Sequence, residues 1–340
     1  MKRLAKAAGV LAALAAIGFV LERRTIASPP YEGPPSDHFD GKRFRNREPH
    51  PEGSVMKWMM NRQLGPWRKW VESRPGPPPA QRVAEGIRVT WVNHATILVQ
   101  MDGVNFLTDP IWSERTSPVS FAGPKRHRPP GLRFEDLPPI DAVLVSHNHY
   151  DHLDLPTLRR LGKTRIVTPL GNSALMARHG VPSGHDLDWW QSVQITDRVK
   201  VTLVPAQHFC SRGMSDRDRT LWGGFVISGP SGHAFFAGDT GWGTHFKEIG
   251  DRFQPMRLAM LPIGAYLPRW FMKRIHIDPA EAVDAHYALR AQTSMAMHFG
   301  TWDLGDDGEM EPVKDLQQAL AAKGNPRFVV LEHGVGYDVE

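Results

Sequence analysis

Nine residues constrain this chain more than any others: Ser146-His147-Asn148-His149-Tyr150-Asp151-His152-Leu153-Asp154. They follow Ala142-Val143-Leu144-Val145, a short continuous apolar run of the kind that forms a buried strand. Three imidazoles and a carboxylate are thereby placed in a loop at a strand's carboxyl end. His, His, Asp and His within six residues are ligands that zinc, iron or manganese accept, and the spacing lets one loop wrap two neighbouring ions. The bland alternative is a polar turn that happens to be rich in histidine, but a cluster of this density favours metal.

A two-metal site needs about three more ligands, including a carboxylate between the mutually repelling cations, and they should also fall at strand ends. Val199 to Val204 alternates and delivers Pro205-Ala206-Gln207-His208; His233 to Ala237 delivers Gly238-Asp239-Thr240; Thr293 to Met297 delivers His298-Phe299-Gly300. Asp151 and Asp239 are the candidate catalytic carboxylates. Asp109 and His333 are candidates to orient ligand imidazoles from behind. His94, between two strands beside the site, reads as a hydrogen-bonded core histidine. The glycines flanking Asp239-Thr240 suit close backbone approach to the metals. Lys125-Arg126-His127-Arg128 reads as a solvated basic loop able to steer an anionic headgroup. Cys210 is the sole cysteine, which excludes an internal disulfide and suits a buried structural thiol.

The order HxHxDH, His, Asp, His resembles that of the metallo-β-lactamase fold hydrolases. Motifs beyond the metal site are similar to those of the N-acyl-phosphatidylethanolamine-hydrolysing phospholipase D family: Val89-Thr90-Trp91, His94-Ala95-Thr96, Phe106-Leu107-Thr108-Asp109-Pro110, Leu187-Asp188-Trp189-Trp190 and Pro262-Ile263-Gly264-Ala265-Tyr266. Pro268-Arg269-Trp270-Phe271-Met272-Lys273, then His276 and Asp278-Pro279, extend the likeness, which runs from about residue 35 to the end. The resemblance implies two Zn²⁺ ions, with iron or manganese as alternatives. It assigns His147, His149 and His208 to the first metal and Asp151, His152 and His298 to the second, with Asp239 bridging. It places Tyr266 and His276 near substrate. A hydroxide between the metals would attack a phosphodiester, giving phosphatidic acid and an N-acylethanolamine from a phospholipid at a membrane surface. Ile275 departs from the pattern, standing where a polar residue is expected.

Other readings stay open. Another hydrolase of the same fold could act on an ester, lactone, amide or soluble phosphodiester. A membrane-tethered, non-catalytic metal-binding scaffold is a different class, disfavoured by a ligand set with no gaps. Metal content separates scaffold from enzyme, and substrate separates the enzymes.

The net charge of +5 favours an anionic partner, yet the basic and aromatic residues form no recognisable nucleic-acid motif, so no nucleic acid is expected. Homo-oligomerisation is left open. Lys2, Arg3 and Lys6 precede the apolar stretch Ala7 to Leu21, whose fifteen residues suit a signal-peptide core and fall short of the roughly 20 that span a bilayer. Residues 1–28 are therefore expected to be a signal peptide or uncleaved anchor, with the catalytic domain outside the cytoplasm, on the periplasmic side in a Gram-negative bacterium. Residues 29–80 read as a linker or strap followed by a Trp, Met and basic segment suited either to a membrane interface or to docking on the domain.

The catalytic domain is expected over 81–340. Ile87 to Val92, Ala95 to Gln100 and Val104 to Thr108 read as strands, the last two joined through Asp102-Gly103. Pro156 to Leu161 reads as a short helix. Asp278-Pro279-Ala280-Glu281 has the cap, proline and acid of a helix start, and Glu311 to Lys323 is a further helix stopped by Gly324. Strands with interposed helices predict an α/β fold of two packed mixed sheets with helices outside, which in the resembling family is the metallo-β-lactamase αββα sandwich. Spacing alone discloses no internal repeat.

Overall fold

A computed structural model describes residues 26–48, 53–181 and 184–340; most of the expected signal or anchor segment lies outside them. The fourteen strands among the described residues are β1 (Ile87–Asn93), β2 (Thr96–Met101), β3 (Val104–Thr108), β4 (Ala142–Leu144), β5 (Arg165–Pro169), β6 (His185–Leu187), β7 (Ser192–Gln194), β8 (Lys200–Val204), β9 (Gly224–Gly229), β10 (Gly232–Phe236), β11 (Met256–Pro262), β12 (Thr293–Met297), β13 (Phe328–Val329) and β14 (Gly336–Val339). They form two seven-stranded sheets, ordered β14-β1-β2-β3-β4-β5-β6 and β13-β12-β11-β10-β9-β8-β7. From β14 in one and β7 in the other, three antiparallel pairings are followed by three parallel ones. The second half of the chain thus repeats the pairing plan of the first, a duplication invisible in residue spacing.

The apolar run before the histidine loop shows why the sandwich forms. Ala142 and Leu144 face the main core between the sheets, whereas Val143 and Val145 face a second cluster with Leu153, Leu158, Leu175 and Met176. Side chains alternate along a strand, so a strand covered on both faces must be apolar throughout. β2 repeats this: Ile97, Val99 and Met101 point into the main core, and Leu98 packs with Val92, Leu107 and Leu132. Phe106, Phe225 and Phe235, all fully buried, fill the space between sheets. Each such side chain contributes roughly 1.5–3 kcal/mol by leaving water.

Helices cover the outer faces. Leu155–Arg160 and Asn172–Arg178 bury Leu158, Leu175 and Met176, while Pro279–Ala288 and Glu311–Ala322 bury Val283 and Leu316 on the other side. The Asp278 side chain accepts from Glu281 N at 2.8 Å, and Glu281 reciprocates on Asp278 N at 3.0 Å, a complete capping box. Asp278→Ala is expected to lower unfolding stability by about 1 kcal/mol; an unchanged urea midpoint would show that the cap contributes nothing.

Residues 26–48 behave as a strap. Phe39 and Phe44 are buried in the main core, and Asn46 reaches into the histidine site. The Trp and Met segment forms a helix only over Val55–Met60. It docks partly: Trp58 stacks on Phe271 with centroids 5.2 Å apart, and Trp67 Nε1 donates to the Asp307 carbonyl at 2.9 Å. Among the described residues no helix is long and apolar enough to cross a membrane. The basic tetrapeptide differs from expectation. Arg126 is buried, donating to the Ser113 carbonyl and lying over Trp302, and Arg128 pairs with Glu309 at 3.0 Å. Neighbouring carbonyls and a buried carboxylate hold these two guanidiniums inside, so they are struts rather than a solvated loop.

Candidate metal centre

The carboxyl ends of β1, β3 and β4 in one sheet and of β8, β10 and β12 in the other meet along one edge of the sandwich. β1 is followed directly by His94 and β3 by Asp109, β4 leads into the histidine loop, β8 leads to His208, β10 to Asp239 and β12 to His298. His94, Asp109 and His298 have φ of 44°, 33° and 62°, so each strand turns sharply as it delivers its side chain. Such left-handed backbone costs roughly 1–3 kcal/mol per non-glycine residue and persists where packing dictates it. Gly238, at φ 60°, lets the chain pass Ser146; a Cβ there would lie 2.7 Å from the Ser146 Cβ.

His147, His149, His208 and Asp239 form one group whose ligand atoms all lie within 4.8 Å of one another. The hydrogen bonds set the tautomers. His147 Nδ1 donates to Ser146 Oγ at 2.9 Å, because that hydroxyl spends its own proton on Asp109 at 2.6 Å. His208 Nδ1 donates to the Ile275 carbonyl at 2.9 Å. The Nε2 lone pairs of both therefore face His149 Nδ1, at 2.8 and 3.3 Å. Three imidazole nitrogens turned toward one point, two of them as lone pairs, satisfy each other poorly and a cation well. Burial lowers the pKa of His147 and holds His149 at about 4 and His208 at about 3, so these rings are neutral at pH 7.

Asp151, His152, His298 and His94 form a second such group. His152 Nδ1 donates to Asp109 at 2.6 Å, which turns its Nε2 to Asp239 at 3.1 Å and Asp151 at 3.3 Å. His298 Nε2 lies 3.0 Å from the other Asp239 oxygen, and Asp239 Oδ1, His152 Nε2 and His298 Nε2 are buried without a hydrogen-bond partner. Burial alone would raise Asp151 and Asp239, but the surrounding imidazoles hold both well below the carboxylate range. Burial likewise opposes charge on His152 and His298, yet the carboxylates hold the first well above its usual value and the second at about 9. The site demands positive charge, and divalent cations among these nitrogens and oxygens would meet that demand. The residues present fit metal.

Asp239 faces both groups, with Oδ2 3.9 Å from His147 Nε2, 3.8 Å from His208 Nε2 and 3.1 Å from His152 Nε2. All seven residues expected as ligands come together. So does Asp109, through His152 and Ser146, and so does His276, whose buried Nδ1 lies 4.0 Å from Asp239 without a hydrogen-bond partner. Two expected residues stand elsewhere. His333 stacks on Trp91 and accepts from Arg128 at 2.8 Å, touching no ligand imidazole, and the Tyr266 hydroxyl is tied to Asp315 at 2.5 Å on the helix Glu311–Ala322. Loop conformation decided both, and residue type alone carried no signal of it.

Sequence reasoning missed Asn46. Its amide donates to the His208 carbonyl at 2.7 Å and accepts from His208 N at 3.0 Å, so the strap grips the ligand's backbone on both sides. Nothing in an aperiodic stretch marks such a residue. It also undervalued His94, whose Nε2 lies 3.0 Å from Asp151 Oδ2. Cys210 is buried as expected; desolvation pushes its thiol up to about 12.

Residues 104–299 match the beta-lactamase superfamily domain. The chain belongs to that superfamily. Within the superfamily it is 41% identical over 266 residues to N-acyl-phosphatidylethanolamine-hydrolyzing phospholipase D 1 of Caenorhabditis elegans, covering 73% of this chain and 75% of that protein. It is 30% identical over 258 residues to a metal-dependent hydrolase of Methanopyrus kandleri, covering 74% of this chain and all (100%) of that protein. The mitochondrial N-acyl-phosphatidylethanolamine-hydrolyzing phospholipase D of Saccharomyces cerevisiae is 32% identical, over 67% of this chain and 50% of its own length. Among solved structures, the isothiocyanate hydrolase from Delia radicum gut bacteria superposes with a TM-score of 0.62 at 21% identity, over 74% of this chain and 99% of that one. That likeness concerns the fold alone. The protein is a metal-dependent hydrolase of the metallo-β-lactamase fold, an αββα sandwich as its sequence predicts.

Proposed function

We propose that this protein is a dinuclear zinc phosphodiesterase that cleaves N-acyl-phosphatidylethanolamine to phosphatidic acid and an N-acylethanolamine. The observation that carries the two-ion reading is Asp239, one carboxylate facing two separate groups of ligand atoms. His147, His149 and His208 would hold one cation, Asp151, His152 and His298 the other. When bound, such ions supply Lewis acidity toward a phosphoryl oxygen and bring the pKa of a coordinated water near 7. The chain's own residues fix the receiving geometry: Asp109 and the Ile275 carbonyl hold two ligand tautomers, and Asn46 holds the His208 backbone.

The substrate class rests on the named activity of the worm and yeast relatives and on the surroundings of the site. A cavity of about 290 Å³ opens beside His208, with Phe209 and Phe271 as apolar walls and Arg45, Arg217 and Arg274 at its sides. Apolar walls with guanidiniums suit a lipid phosphodiester. Met56, Met59, Met60 and Leu64 are 71%, 67%, 74% and 65% exposed on the same segment as Lys57 and Arg62. We assign this surface to a bilayer interface, where apolar side chains enter and cations meet phosphates. The basic and then apolar residues 2–21 support a catalytic domain outside the cytoplasm.

The test is to purify the protein in detergent, measure its metal content, and supply N-acyl-phosphatidylethanolamine in mixed micelles while following both products. About two metals per chain and release of both products, abolished by a chelator, is the expected result. Two metals without cleavage retains the hydrolase and rejects the lipid substrate.

A further inference from the structure

The duplicated pairing plan makes β1 the counterpart of β8 and β3 the counterpart of β10. In both halves the first of these strands leads to a histidine and the second to an aspartate: His94 and Asp109 in one, His208 and Asp239 in the other. The offsets differ. His94 and Asp109 directly follow their strands, while Pro205-Ala206-Gln207 and Ala237-Gly238 intervene before His208 and Asp239. The longer exits carry His208 and Asp239 among the ligand atoms; the shorter ones set Asp109 behind His152 and His94 beside Asp151. Asp109 takes the Nδ1–H of His152. His94 has a corresponding contact with Asp151.

We infer that His94 is a positioning residue that holds Asp151 in place for the second metal. Its Nε2 lies 3.0 Å from Asp151 Oδ2, and an ionised carboxylate only accepts, so Nε2 carries the proton. Asp151 lies in the loop that follows β4, and His94, at the carboxyl end of β1 three strands away in the same sheet, gives it an anchor from outside that loop. The backbone of His94 is engaged as well. Its N–H donates to Thr301 Oγ1 at 3.1 Å, and its carbonyl accepts from the N–H of His298 at 3.0 Å and from Trp91 Nε1 at 2.9 Å. One residue therefore reaches two ligands of the same group, Asp151 through its ring and His298 through its carbonyl. The ring is buried against His298, with centroids 3.8 Å apart, and its Nδ1 has no hydrogen-bond partner, so among the described residues Asp151 is the group its ring nitrogens serve.

The inference rests on the two-ion reading. The experiment compares the parent with His94→Gln and His94→Met, side chains of similar length of which only glutamine retains an N–H donor. Zinc bound per chain and the affinity of each ion are read by competition with a chromophoric chelator, and the cobalt-substituted proteins are compared by visible absorption. His94→Met is expected to bind the first ion like the parent and the second about 10- to 100-fold more weakly, with His94→Gln restoring the parent's affinity. Equal second-ion affinity in His94→Met, or a His94→Gln protein as weak as His94→Met, overturns the positioning role. Loss of both ions together in His94→Met but not in His94→Gln supports the donor role through the shared Asp239. A parent that binds a single ion overturns the two-ion reading and this inference with it, which distinguishes that failure from a failure confined to His94.

Discussion

Asp239→Asn is expected to lower turnover on the order of 10²- to 10³-fold, as for the loss of a principal electrostatic group at a reacting centre. The carboxylate has one oxygen 3.0 Å from His298 Nε2 and the other 3.1 Å from His152 Nε2, and it is buried. Asparagine keeps the shape but halves the acceptor capacity and removes the charge. It also turns an amide toward nitrogens that need an anion or a metal. Metal content should fall below that of the parent while the far-ultraviolet circular dichroism spectrum is retained. Full turnover in a metal-loaded Asp239→Asn protein would reject the shared role of this carboxylate.

Asp109→Ala is expected to act on stability and metal affinity together. The carboxylate takes Ser146 N at 2.7 Å, Ser146 Oγ at 2.6 Å and His152 Nδ1 at 2.6 Å, all buried. Breaking a buried network of this kind from one side costs roughly 3–5 kcal/mol, a large share of the ~5–15 kcal/mol that keeps a domain folded. The same change frees His152 to rotate, so affinity at the second group should drop about 10- to 100-fold. Melting with chelator present isolates the first effect and metal competition the second. An alanine variant that melts with the parent would mean that Ser146 and His152 find other partners.

Much of the site was legible because its ligands are local in sequence or stand at strand ends. The cluster from His147 to His152 announces itself, and His208, Asp239 and His298 each follow a readable β pattern. What remained hidden was long-range. Asn46 meets His208 across 162 residues, and no local rule connects them. His94 lacks metal-type neighbours in sequence, so the default of a core histidine was reasonable and incomplete. Fold class was legible from alternating apolar runs, whereas β11 was not: Met256-Arg257-Leu258-Ala259-Met260-Leu261 favours helix by propensity. Parallel pairing with β10 on one side and β12 on the other overrides that preference. β14, with Gly336 and Asp338 in four residues, is a strand only because β1 needs a partner.

That last pairing has a bearing on how the protein is made. Arg88 and Asp338 stand opposite each other, 250 residues apart. While a ribosome delivers everything between them, the sheet carrying the histidine loop has β1 as a bare edge, able to accept any stray strand. The other sheet takes all its strands from one uninterrupted stretch, β7 through β13. The edge that leads to His94 waits for β14, the last strand of the chain's described residues, and is the last to be sealed.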